Sequence, residues 1–184
     1  MPDRRGVIAG ALGWLALAPG LRAQGTGLAD DLVRALQAAL EGDAAATAQR
    51  IFAEADTGII AQVVLGPAAA DLEPATLRRV GTHYAQRMAG VLSDRIARQG
   101  GESVILVSAG QVRRYHEIVI EIRSGSGGAT ILRWHASDRT GRMRPFNLLI
   151  GSENLLAQQR DGFAAALSGA GGDVAAALER LGIR

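Results

Sequence analysis

The chain has 184 residues, enough for one domain with a substantial core and short for two. Its 48% hydrophobic and 21% charged content is that of a folded globular protein. Cysteine is absent, which excludes a disulfide framework, a thiolate metal site and a cysteine nucleophile.

The first 23 residues have the layout of a bacterial secretory signal. Arg4 and Arg5 make a basic start, an apolar run extends from Val7 to about Ala18, and Pro19-Gly20 breaks it ahead of Ala23. The apolar part is too short for a stable membrane span. The paired arginines followed by Gly6-Val7-Ile8 resemble a twin-arginine export signal, with Asp3 where a Ser or Thr is usual. A periplasmic protein is therefore expected, with residues 24–184 as a single mature domain. Arg4, Arg5, Arg22 and Asp3 fall within the signal, and the chain as a whole carries 20 arginines, no lysine and 18 acidic residues. The remainder is then formally neutral. A neutral domain without a basic run is poorly suited to nucleic acid, where phosphate neutralisation supplies most of the affinity.

The mature chain begins with an amphipathic helix, because Leu28, Leu32, Leu36 and Leu40 recur at helical spacing. Asp30 and Asp31 in its first turn suit the positive end of the helix dipole. Ala44 to Ala55 reads as a second helix carrying Ile51 and Phe52. Asp56 then caps a short apolar helix with Ile59, Ile60, Val63 and Val64, which Gly66-Pro67 stops. The longest helix starts near Pro74 and carries a stripe of Leu77, Val80, Tyr84, Met88, Val91, Leu92 and Ile96 before Gly100-Gly101.

After Gly101 the period changes to two. "SVILVS" reads as a short strand, and "QVRRYHEIVIEIRS" as one long strand joined through "GSGG" to "ATILRWHAS". Pairing Ile118, Ile120 and Ile122 with Trp134, Leu132 and Thr130 gathers the apolar residues on one face. Glu117, Glu121, Arg123, Arg133 and His135 fall on the other, with His135 turned to solvent. Such a sheet packs helices on one side. "RMRPFNLLI" is a last strand, its Pro145 implying an edge or bulge. Two helices, Leu155 to Leu167 and Asp173 to Leu181, close an α+β fold with about four antiparallel strands.

No catalytic constellation emerges. His83, His116 and His135 have no metal-pair spacing, and neither a G-x-S-x-G nor a G-x-x-x-x-G-K motif is present. No enzyme activity, metal or cofactor is expected. The remaining enzyme reading is a cone-like α+β fold using His116 or His135 with a nearby acid.

Two stretches together resemble a known family. "DTGIIAQVVLG" followed by "EPATLRRVGTHYAQRMAGVLSDRI", and later "GRMRPFNLLIGSENLLAQQRDGFAAAL" ending in "GGDVAAALERL", resemble the toluene-tolerance family of periplasmic lipid carriers, which serves the Mla pathway of outer-membrane lipid asymmetry. The likeness rests on Val64-Leu65-Gly66, the helix carrying Tyr84, the Arg160 and Phe163 pair, and Gly171-Gly172-Asp173. The chain departs from the family with Met143, Phe146 and Asn147 in place of Trp, an aromatic and Asp. It also has Ser152-Glu153-Asn154 for Gly-Val-Ser, and Ala69 for an aromatic.

The resemblance implies a curved sheet and helices enclosing an apolar cavity, with phospholipid as cargo. It further implies an auxiliary role beside an inner-membrane ABC-type lipid transport complex and an outer-membrane lipoprotein complex; a monomer is expected. A hopanoid-type cargo is the variant within this class. The candidate lipid-contacting residues are Ile60, Val63, Val64, Tyr84, Met88, Ile118, Ile120, Leu132, Trp134, Phe146 and Leu148. A buried methylene is worth about 0.8 kcal/mol, so moving a two-tailed lipid through water needs such greasy walls.

Overall fold

The computed structural model describes residues 20–184, with side chains from Gly27 onward. The signal-segment expectation falls almost wholly on residues 1–19, which lie outside the described residues. Helix α1 (Gly20–Glu41) leads into α2 (Ala44–Ala53) and α3 (Thr57–Leu65), which a 3-10 turn over Gly66–Asp71 separates from α4 (Pro74–Gln99). Strands β1 (Gly101–Val112), β2 (Tyr115–Ser124), β3 (Ala129–Ser137), β4 (Arg144–Ile150) and β5 (Glu153–Asn154) follow, then α5 (Leu155–Gly169) and α6 (Val174–Arg180). The strands lie in sequence order and all pair antiparallel, so the sheet is an open, curved meander with helices against it. The α+β expectation holds.

The helix starts follow from short polar side chains. Asp43, Asp56, Asn154 and Asp173 each accept a backbone N–H three residues on, which satisfies an otherwise orphaned donor. Pro74 opens α4, where its missing N–H costs nothing, and Gly100 ends it in the left-handed conformation. α4 packs closely on α2 and α3 because small residues face them. At Gly81 a side chain would collide with the Thr57 backbone, so the crossing of α3 and α4 requires glycine.

The β2–β3 register sets Ile118 opposite Trp134, Ile120 opposite Leu132 and Ile122 opposite Thr130, the pairing expected from side-chain parity. The opposite face carries the charged set, with Arg123 on Glu121 and Arg133 on Glu117 at 3.2 Å.

One strand assignment needs correction. The segment from Gln111 to Ser124 is not continuous: it turns at Arg113-Arg114, and Val112 pairs with Tyr115. The turn contains no glycine, asparagine or proline to announce it. Arg113 instead takes a positive φ of 56°, which favours glycine. β1 therefore runs on to Val112, well past "SVILVS".

Among the described residues no single helix is long and apolar enough to cross a membrane. The pair formed by α2 and α3 with its 3-10 turn has the composition, but it is bent by 86°.

Candidate apolar interior

Nine of the eleven candidate residues converge in one buried layer. Ile118 and Ile120 from β2, Leu132 and Trp134 from β3 and Leu148 from β4 form the sheet side. Ile60 and Val64 from α3, with Tyr84 and Met88 from α4, belong to the same cluster. None of the nine is more than 2% exposed. The strand residues meet because alternate positions on neighbouring strands share a face, and the helix residues because a spacing of four keeps Ile60 with Val64 and Tyr84 with Met88.

Two candidates are not part of this fully buried set, although Phe146 packs against it. Val63 is 38% exposed on the outer side of α3. A nine-residue helix presents one face inward, and Ile60, Ala61, Val64 and Leu65 already occupy it. Phe146 is half-buried at the bulge between His135 and Ala136, its ring centroid 6.0 Å from that of His135 and 6.2 Å from that of Tyr115. Sequence reasoning also passed over Phe52, which is buried and stacks on Trp134 at 5.6 Å. An aromatic on the inner face of α2 was the signal for it.

Among the described residues five buried side-chain polar atoms have no partner, and two of them belong to this apolar cluster. Tyr84 Oη and Trp134 Nε1 are both buried and hydrogen-bonded to nothing. Burial raises the Tyr84 pKa, with the Arg87 charge acting in the opposite direction, so the hydroxyl keeps its proton. Both groups are then donors in apolar surroundings, each costing about 1–3 kcal/mol while unpaired. A ligand carrying acceptor oxygens into this layer would satisfy them.

The surface approaches Trp134 through Phe52. A crevice of about 810 Å³ between α2 and α4 mixes small apolar residues such as Ala45, Ala85 and Ala89 with Gln49, Thr57, Gln86 and Asp94, and Phe52 stands in its wall. A second crevice, of about 740 Å³, lies between α1, α2 and the β3–β4 loop and mixes Leu32, Ile51 and Met143 with Arg50 and Arg142. None of the eleven candidates lines either crevice.

An ion pair ties this layer to the sheet. Asp56 caps α3 and receives Arg139 of the β3–β4 loop through Nε at 2.7 Å and Nη2 at 2.6 Å. Burial pushes the Asp56 carboxyl up, but the Arg139 and Ile59 hydrogen bonds, with the Arg139 and Arg144 charges, outweigh it and hold the pKa below the usual range. Gly58 leaves room for the guanidinium, which a Cβ there would overlap.

The two histidines of the enzyme reading sit on opposite faces of the sheet. His116 shares the buried face with Ile118, its Nε2 at 3.8 Å from Asp138. His135 lies on the charged face as expected, but its side chain is only 15% exposed, covered by Tyr115 at 4.4 Å. Burial lowers its pKa, with Glu117 acting against that and Arg133 with it, so the ring is neutral near pH 7. Its Nε2 lies 3.6 Å from Glu117, whose carboxylate Arg133 also engages. Each histidine thus has one acid beside it, Asp138 for His116 and Glu117 for His135, but none of the four lines either crevice. Among the described residues no group of three or more His, Asp or Glu could hold a metal ion.

By sequence, no family model and no curated protein matches the chain. By fold it is similar to a phospholipid-binding protein from Ralstonia solanacearum, solved in complex with a phospholipid. The TM-score is 0.59 at 15% identity, over 89% of this chain and 84% of that one. At that identity the likeness defines the architecture: a small α+β domain with helices against an antiparallel meander.

Proposed function

We propose that this protein is a lipid carrier, with its apolar interior as the site that shelters acyl chains. The observation that carries the reading is the pair of unpartnered donors, Tyr84 Oη and Trp134 Nε1, set among aliphatic side chains. An ester-linked lipid brings carbonyl oxygens beside its hydrocarbon, and so suits a wall that is greasy with two donors in it. The fold shared with a phospholipid-bound protein supports the same class of ligand. A bare polycyclic hydrocarbon would leave both donors unmet, whereas a hopanoid with a hydroxylated side chain brings acceptors of its own.

Entry of a tail requires the α2–α4 crevice to widen at Phe52, which already separates that crevice from Trp134. The finer reading joins the family resemblance to the export-type N-terminus. It makes the protein a periplasmic shuttle of the toluene-tolerance type, passing phospholipid between an outer-membrane lipoprotein complex and an inner-membrane ABC-type complex. It acts by binding and release, without catalysis or a cofactor.

Mass spectrometry of lipid extracted from the purified protein tests this. A two-chain phospholipid is the expected finding, with uptake from labelled phospholipid vesicles by stripped protein. Protein that emerges lipid-free and takes up nothing overturns the carrier reading, and a hopanoid extract overturns the ester-lipid reading alone.

A further inference from the structure

A third crevice, of about 510 Å³, opens between the first turns of α4 and residues Gly182 to Arg184. Arg78, Arg79, Arg184 and His83 stand in its wall, and no Asp or Glu does. The three arginines are exposed, and among the described residues none of them makes an ion pair. Arg79 donates one N–H to Thr76 Oγ1 at 3.1 Å. The second crevice also holds arginines, but there Asp31 already engages Arg34 and Glu54 engages Arg142.

This charge is built into the helix, since α4 carries three arginines and no acid from Pro74 to Ser93. His83 adds none of it. Burial lowers its pKa, with the Arg87 charge acting the same way, so the ring is neutral near pH 7. Its ring meets that of Tyr84 edge-on at 5.3 Å, which sets the crevice one side chain outside the apolar layer.

The crevice also adjoins the one at Phe52, because Thr82 and Gln86 line both. Arg78, Thr82 and Gln86 follow at a spacing of four and so form one stripe along α4. That stripe leads from the arginines to the place where the proposed tail entry lies.

We infer that this crevice receives the phosphate of a lipid whose tails enter at Phe52, and that it favours head groups of net negative charge. The inference rests on the carrier reading and adds a head-group site to it. Guanidinium groups match phosphate oxygens in charge and in fork geometry. An ammonium-bearing head group finds no carboxylate side chain here. The acid of the neighbouring crevice, Asp94, lies about 12 Å along the helix from Gln86.

Competition between two lipids in one vesicle tests this. Stripped protein is incubated with vesicles of equal phosphatidylglycerol and phosphatidylcholine with matched tails, and bound lipid is counted by mass spectrometry. Both lipids share one surface, so attraction of the protein to the vesicle favours neither. Wild type is expected to hold phosphatidylglycerol over phosphatidylcholine by roughly fivefold or more. Arg78→Gln combined with Arg79→Gln should abolish the preference while phosphatidylcholine is still bound. Both side chains are exposed, so thermal melts of the double variant should match wild type. A wild type without preference, or a preference that survives the double substitution, overturns the head-group site and leaves the carrier reading standing. Protein that binds neither lipid overturns both. Lipid-free protein that binds glycerol 3-phosphate tightly, with lipid loading making no difference, gives the crevice to a soluble phosphate and overturns the inference.

Discussion

The two faces of one sheet handle polarity in opposite ways. On the outer face Glu117, Glu121, Arg123 and Arg133 pair with one another, and water completes what the pairs leave open. On the inner face Trp134 has no partner for its ring nitrogen, and Tyr84 of α4, packed against that face, has none for its hydroxyl. The outer polar groups cost little because solvent is always available, whereas the inner ones are costly until something enters. An apolar layer built only for stability would use Phe at both positions. The difference makes the inner face the candidate site of the proposed function, although it is the face without charges.

The largest blow to this contrast is Trp134→Ala, which opens a void in the centre of the layer. We expect a loss of about 3–5 kcal/mol in chemical denaturation. Asp56→Ala removes the α3 cap and leaves Arg139 unpaired, for roughly 2–3 kcal/mol, with the arginine's partial exposure limiting the cost. This pair also sets an acid limit. The folded Asp56 pKa lies below its ordinary 3.8, so its contribution is present above that value and fades as pH falls through the lower folded one. Denaturation midpoints measured down the acid limb should therefore fall less steeply in Asp56→Asn.

Tyr84→Phe sharpens the comparison because its two effects have opposite signs. Removing an unmet donor should stabilise the lipid-free protein by about 1 kcal/mol while weakening phospholipid retention by a similar amount. A variant that loses stability without lipid would show that the hydroxyl is satisfied after all. Arg133→Ala on the outer face is the smallest change, below about 1 kcal/mol and reduced further by salt.

Much of this was legible in the sequence because side-chain parity and helical spacing are local. The pairing of Ile118 with Trp134, the stop at Gly66 and the stripe through Tyr84 and Met88 all follow from periods of two and about four. Val63 was misassigned because a run as apolar as "IIAQVVL" hides which face is inward until its neighbours are known. The turn at Arg113 was missed because arginine gives no turn signal, and the alternation around it reads as one strand. The unpartnered state of Tyr84 and Trp134 was beyond reach for a different reason. It is a property of everything packed around them, and no local pattern encodes it.

The order of the strands has a kinetic consequence. Each long strand pairs with its neighbour in sequence, so the meander can form hairpin by hairpin with short loops to close. The layer formed by α1 to α4 precedes the sheet in the chain and must dock across it, with the Asp56–Arg139 pair spanning 83 residues. Refolding should thus show early strand formation and a later step in which the helices seal the inner face. Until that seal forms, the apolar face of the sheet is open to any other greasy chain, and that interval is where aggregation competes.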